Sequence, residues 1–147
     1  MIAREVDFPP VWLAGFAAVG AIVGRYHTLH FRFSTVSGAG LVVFALALMI
    51  FAVLQMVWAR TTVIPGRNPT HLVTGGVFRF SRNPIYLADA LLLLGLYVYW
   101  GAVIALPCVA LFMLLISNRF IKPEEAAMAR LFGEEFEIYK NRTRRWI

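Results

Sequence analysis

Uncharged apolar stretches alternate along this chain with short arginine-bearing segments. Residues 8–24 carry no charged side chain, and neither do residues 35–59. A bilayer core needs roughly 20 apolar residues, with about 17 as the lower limit. The first stretch is therefore just long enough to span, and the second spans comfortably. Pro9 and Pro10 suit the start of the first helix, where a missing N–H costs little. A third apolar run, 85–118, holds one charged side chain, Asp89. As a single helix it would reach roughly 50 Å, against about 30 Å of hydrocarbon. It is predicted to fold as a tight hairpin of two spans, 85–100 and 101–118. The break falls at Trp100-Gly101, where Tyr97, Tyr99 and Trp100 supply interfacial aromatics.

The polar segments complete the pattern. Residues 25–33 form a short link with two arginines and two histidines, and 60–84 form a connector rich in Gly, Pro and Arg. In the tail, 119–147, Met128, Leu131, Phe132, Phe136 and Tyr139 recur at helical spacing. This predicts one amphipathic cytosolic helix lying on the membrane or folding back over the connector. The fold expected is all-α: a polytopic membrane protein of about four transmembrane helices, in one domain over 1–147.

Composition strengthens that picture. The chain is 60% hydrophobic, with mean hydropathy +0.71, above the usual soluble range. A net charge of +6 in a soluble protein would suggest nucleic acid. Here the arginines flank apolar spans, so membrane lipids with anionic headgroups are the expected partner, and nucleic acid is not. Four spans place both termini and the connector on one face. That face gathers one basic residue from the N-terminal arm, four from the connector and seven from Arg119 onward, leaving Arg25 and Arg32 on the other. Twelve against two marks the first face as cytoplasmic. The lone cysteine, Cys108, allows no internal disulfide, and residues 1–7 have no cationic region and cleavage site of a signal peptide.

Candidate chemistry collects at the connector and tail. Asn83-Pro84 is a helix start, with Asn as cap and Pro in the first turn. Arg82 just before it reads as a headgroup anchor. Tyr86 and Asp89 lie one helical turn apart on one face. Asp89 is then either a polar-cavity residue or an interfacial acid that snorkels. Glu124-Glu125 follow Pro123, where acids also gain from the helix dipole. His27 and His30 are three apart without a third ligand, so no metal site is expected. No Gly-x-Gly-x-x-Gly follows a strand, which argues against a soluble nucleotide fold.

In this order, Leu72-Val73-Thr74, Gly76-Val77-Phe78, Arg82-Asn83-Pro84-Ile85-Tyr86, Glu124-Glu125, Phe132-Gly133-Glu134-Glu135-Phe136 and Tyr139 resemble the isoprenylcysteine carboxyl methyltransferase and phospholipid methyltransferase group of membrane enzymes. The resemblance covers about half the chain. It implies S-adenosyl-L-methionine as methyl donor and a lipophilic or lipidated acceptor: an isoprenylcysteine carboxylate, a phospholipid amine or another small lipophilic nucleophile. It implies cofactor contacts at Thr70, His71, Leu72, Val73, Phe78, Asn83, Pro84, Ile85, Tyr86, Glu124 and Glu125. A carboxylate such as Glu124 suits the cofactor's positive charges, and Phe78 with Leu72-Val73 suits its adenine. Tyr86, Asp89 and Arg119 are the catalytic candidates, and Glu125 joins the first two as a possible base for an amine acceptor.

Two departures stand out. The family often has His where this chain has Asn83, which cannot titrate near neutral pH. Arg119 stands near, but not in register with, the arginine by which prenylcysteine enzymes contact substrate. Two other classes fit parts of the pattern. Sterol reductases share an Arg-x-Pro-x-x-Tyr segment and an acidic pair but use NADPH, for whose extra phosphate this segment offers only Arg79 and Arg82. A non-catalytic helical membrane protein is the other. If the chemistry lies at the connector, replacing both His27 and His30 by Ala should change methyl-donor affinity by less than about 0.5 kcal/mol, as read by calorimetry.

Overall fold

The computed structural model describes residues 8–32, 34–64 and 69–147. Readings that fall on 1–7, on Phe33 and on 65–68 lie outside them. Regular structure among the described residues is helical throughout. Helices α1 (Pro9–Tyr26) and α2 (Ser34–Trp58) are followed by the connector, which contains a 3-10 turn at Gly76–Arg79. Helix α3 (Pro84–Tyr99) then leads through a second 3-10 turn, Val103–Ala105, to α4 (Pro107–Ile116), α5 (Lys122–Phe132) and α6 (Glu134–Arg142). Among the described residues, two helical paths can cross a membrane by length and composition: Ser34–Trp58 and the continuous run Val103–Phe132. Helix α3 is apolar but shorter.

The helices pack as expected for chains whose surroundings are also apolar. On α2 the buried residues are small: Ser34, Gly38, Ala45 and Ala52. Gly38, Ala45 and Ala52 are seven apart, so they share one face. Val43, Phe44, Ile50, Phe51, Val57 and Trp58 face outward. Small residues let backbones approach closely, and dispersion then holds helices that hydrophobic burial cannot. The contact of α2 with α3 is the tightest case. A Cβ on Gly38 would lie 2.5 Å from the Tyr99 backbone nitrogen, and one on Gly95 would lie 2.9 Å from that of Val42. On the other side of α3 the buried Tyr97 hydroxyl donates to the Phe16 carbonyl in α1 at 2.7 Å.

The predicted break holds: α3 stops at Tyr99, and Gly101 turns the chain at φ +66. The Leu29 amide donates to the Gly101 carbonyl at 2.9 Å, which fastens the α1–α2 link to this turn.

Two expectations about the C-terminal third are corrected. The fourth span was expected to end at 118 and a separate tail helix to begin there. Instead the helical path continues through a π turn at Ser117–Ile121 into α5. The wide turn accommodates Pro123, whose ring and missing N–H would interrupt a regular helix. The tail is also two helices rather than one, because Gly133 takes φ 51, ψ −122, and α6 sets off in a new direction. Phe136 and Tyr139 are thereby buried while Leu131 stays exposed.

Gly38→Ala should destabilise the fold by about 1–3 kcal/mol, the range for overpacking against a backbone that cannot yield. Gly15→Ala, whose Cβ meets nothing within 4 Å, should be nearly neutral. Thermal unfolding of the two variants in detergent separates these outcomes.

Candidate functional site

The connector is built before the site it carries. In α2, Gln55 pins the Gly75-Gly76-Val77 turn: its Oε1 accepts from the Val77 amide at 2.9 Å and its Nε2 donates to the Gly75 carbonyl at 3.2 Å. Gly76 is needed there, since its φ is +55 and a Cβ would collide with Gln55. Thr61 Oγ1 accepts from the amides of Thr70 at 3.2 Å and His71 at 3.4 Å, and Thr70 Oγ1 donates to the Arg60 carbonyl at 2.7 Å. Thr70 thus acts as a staple.

The C-terminal segment clamps the same connector from outside. The Tyr139 hydroxyl donates to the Phe78 carbonyl at 2.6 Å and Thr143 Oγ1 to the Arg79 carbonyl at 3.3 Å. The Arg82 amide donates to the Arg144 carbonyl at 2.9 Å. Ser81 Oγ and Asn83 Nδ2 both donate to the Arg145 carbonyl, at 3.3 and 3.1 Å. The expectation that the Asn83 side chain caps α3 is corrected: it makes no cap bond, its Nδ2 instead donating to the strap at the Arg145 carbonyl. Pro84 does begin the helix, with the Asn83 carbonyl accepting from the Leu87 amide at 2.9 Å.

Between these layers runs a cleft with about 610 Å³ of space free of protein atoms, its open mouth included. Phe78, Asn83, Pro84, Ile85, Tyr86 and Glu124 line it, with Met56, Val63, Ile64 and Met128 as apolar rim and Arg82 as cation. A smaller adjoining recess shares Met56, Phe78, Arg82 and Met128 with the cleft and adds His71, Leu72 and Val73. The structure thus gathers along the cleft and this recess nine of the eleven residues expected to bind cofactor. Thr70 supports it from the connector, and Glu125 faces another way.

The two glutamates divide their roles because adjacent helical residues point about 100° apart. Glu124 turns into the cleft, where its Oε1 accepts from the Tyr86 hydroxyl at 2.8 Å. Glu125 turns to two arginines. Arg145 grips it with a fork, Nε to Oε1 at 3.1 Å and Nη2 to Oε2 at 2.6 Å, and Arg82 Nη1 lies 3.3 Å from Oε1. These hydrogen bonds hold the Arg145 guanidinium above its ordinary pKa, with burial pulling the other way.

Arg82 is the residue that sequence reasoning undervalued. Its side chain is only 10% exposed, and its Nε and Nη1 have no hydrogen-bond partner. A buried guanidinium left short of acceptors is costly, and this one lines both the cleft and the recess. The adjacency Arg82-Asn83-Pro84 was the available signal. Asp89 is buried in the protein rather than snorkelling outward, and it is not among the residues lining the cleft. Arg119 lies over the Trp12 ring of α1, 5.8 Å from its centroid, and is likewise not among the cleft-lining residues. Arg79 opens on a different cavity, with Thr74 and Arg142.

The sequence pattern of a family described as phospholipid methyltransferase matches residues 33–135. An uncharacterized protein of Haemophilus influenzae is 35% identical over 63 residues, which cover 43% of this chain and all of that protein. No solved structure matches the chain.

Tyr139→Phe should orphan the buried Phe78 carbonyl and cost about 1–3 kcal/mol. Burial raises the Tyr139 pKa well above its ordinary value, against a smaller lowering by Arg82. The stability it contributes is complete below the unfolded tyrosine pKa of about 10 and declines as pH rises beyond it. Denaturation followed from pH 8 to 11 should show a steeper alkaline loss in the wild type than in the variant.

Proposed function

The chain belongs to the phospholipid methyltransferase family, and from that membership we propose an integral membrane methyltransferase that uses S-adenosyl-L-methionine to modify a lipophilic acceptor. One observation carries the cofactor reading. A single cleft presents a carboxylate, Glu124, fixed by Tyr86, together with a guanidinium, Arg82, whose buried Nε and Nη1 complete no hydrogen bond although Glu125 lies 3.3 Å from Nη1. This pairing complements a zwitterion. Glu124 would take the ammonium of the cofactor's amino-acid end. Arg82 would take its carboxylate, with a small turn of the guanidinium meeting the unsatisfied donors. Phe78 and the Leu72-Val73 wall of the recess suit the adenine. When bound, the cofactor supplies an electrophilic methyl group on a sulfonium.

The chain's own residues then have two tasks, alignment and exclusion of water. Tyr86 fixes the Glu124 carboxylate in one orientation. The Arg145 carbonyl fixes Asn83 at the mouth of α3. The rim of Met56, Val63, Ile64 and Met128 gives a lipid-like acceptor an apolar approach and keeps the cleft dry. A carboxylate acceptor reacts as it stands at pH 7, whereas an amine must first lose a proton. Placement of Asp89 and Arg119 apart from the cleft lining favours Tyr86 and Glu124 as the groups nearest the reaction. The NADPH reading is weakened because Arg79 and Arg82 serve different cavities and form no joint phosphate site.

We further propose that all 147 residues form one domain with four spans, α1 and α3 crossing beside the two longer paths, and with both termini and the cleft cytoplasmic. Helix α3 measures roughly 24 Å at the α-helical rise, so the bilayer thins around it. Calorimetric titration of the detergent-purified protein should give saturable binding of S-adenosylmethionine and S-adenosylhomocysteine and none of NADPH. Glu124→Gln should weaken that binding by about 1.5–3 kcal/mol. Binding of NADPH alone would assign the protein to the reductases, and unchanged affinity in the variant would remove Glu124 from the site.

A further inference from the structure

Arg82 has a carboxylate beside it and yet remains under-bonded. Glu125 Oε1 lies 3.3 Å from its Nη1, but neither Nη1 nor Nε completes a hydrogen bond. Both Glu125 oxygens already serve Arg145, through the two-point fork at 3.1 and 2.6 Å. That geometry is the preferred one between guanidinium and carboxylate. Two guanidiniums on one carboxylate leave the cluster with a net positive charge, in a setting where Arg82 and Glu125 are 10% and 12% exposed. Screening by water is weak there, so which acceptor each guanidinium meets decides what else can bind.

Arg145 is not among the residues lining the cleft, but its own place is set firmly. Its carbonyl receives Ser81 Oγ and Asn83 Nδ2, and its neighbour Arg144 receives the Arg82 amide. On the far side Trp146 Nε1 donates to Ser117 Oγ at 3.2 Å, in the π turn that leads to Glu124 and Glu125. The strap 143–146 therefore touches both halves of the cluster.

We propose, on the cofactor reading given above, that Arg145 is a positioning residue that keeps the Arg82 donors available to the carboxylate end of the ligand by engaging both oxygens of Glu125, so that the Arg82–Glu125 ion pair at 3.3 Å stays without a hydrogen bond. Two carboxylates compete for Arg82: one built into α5, and one that arrives with the ligand. Arg145 decides the competition by occupying the first. Without its guanidinium, the ion pair that Glu125 already makes with Arg82 at 3.3 Å closes into a hydrogen-bonded one, and the ligand must displace it in order to bind.

The test uses the full-length protein in detergent and two probes, S-adenosylhomocysteine and its decarboxylated analogue, which differ only in the carboxylate. The wild type should prefer the first by tenfold or more. Arg145→Met should lose about tenfold in affinity for S-adenosylhomocysteine and little for the analogue, so that the preference collapses. Adding Glu125→Gln to that variant should restore the preference, because the competing carboxylate is gone. Arg145→Lys should fall between, and it serves as the milder variant if Arg145→Met does not fold. A strap that only braced the fold would weaken both probes alike, and the double variant would be no better. Parallel loss of both probes, an unchanged preference in Arg145→Met, or no recovery in the double variant would each overturn the inference. A wild type that binds S-adenosylhomocysteine without preferring it over the analogue would overturn it too. A wild type that binds neither probe would instead defeat the cofactor reading on which it rests.

Discussion

A single carboxylate, Glu125, shared between Arg82 and Arg145 joins three parts of the chain that are far apart in sequence. One arginine belongs to the segment that opens α3, the other to the C-terminal strap, and the acid to α5. Burying charge is expensive unless each charge is paired, and removing one partner strands the others. The connector, the strap and the π turn are therefore held to one geometry. The cleft that lies among them inherits that geometry instead of depending on the flexibility of a Gly-rich loop. The hydrogen bonds from Ser81, Asn83 and the Arg82 amide to the strap carbonyls add direction to what the charges hold together.

Beneath this polar layer the helices obey a different rule. Large side chains on α2 face outward and small ones inward, the reverse of what water would select. Helices in an apolar solvent gain little from burying leucine, so they gain from close backbone contact. Gly38 against Tyr99 and Gly95 against Val42 are where that contact is made. The rigidity of this pair matters for the cleft, because α2 also supplies Gln55, which shapes the Gly75-Gly76 turn, and α3 supplies Tyr86. The packing of the spans and the alignment of the site thus share the same two helices.

Within the site, neighbouring residues of identical type have opposite duties. Glu124 and Glu125 differ by one step along a helix, and that step turns one into the cleft and the other onto the arginines. Membership of the phospholipid methyltransferase family accounts for a membrane enzyme acting on lipid-related molecules. The polarity of the cleft, acid on one wall and under-bonded guanidinium on another, is what supports a zwitterionic donor.

Much of this was legible in the residues themselves. Lengths of uncharged stretches located the apolar helices, two of which are long enough to cross a membrane, because a bilayer demands a minimum apolar length whatever the neighbours. Trp100-Gly101 showed as a break because only glycine readily takes a positive φ. The family resemblance pointed to Leu72-Val73, Phe78, Asn83-Pro84-Ile85-Tyr86 and Glu124, which the structure places along the cleft and its adjoining recess. Tertiary structure decided the rest. The division of labour between the two glutamates and the turning of the Asn83 amide to the strap involve partners 20 to 62 residues away. Local periodicity records which face of a helix is apolar. A hydrogen bond or ion pair is decided by whichever group the folded chain brings within about 3 Å, and no local pattern encodes that.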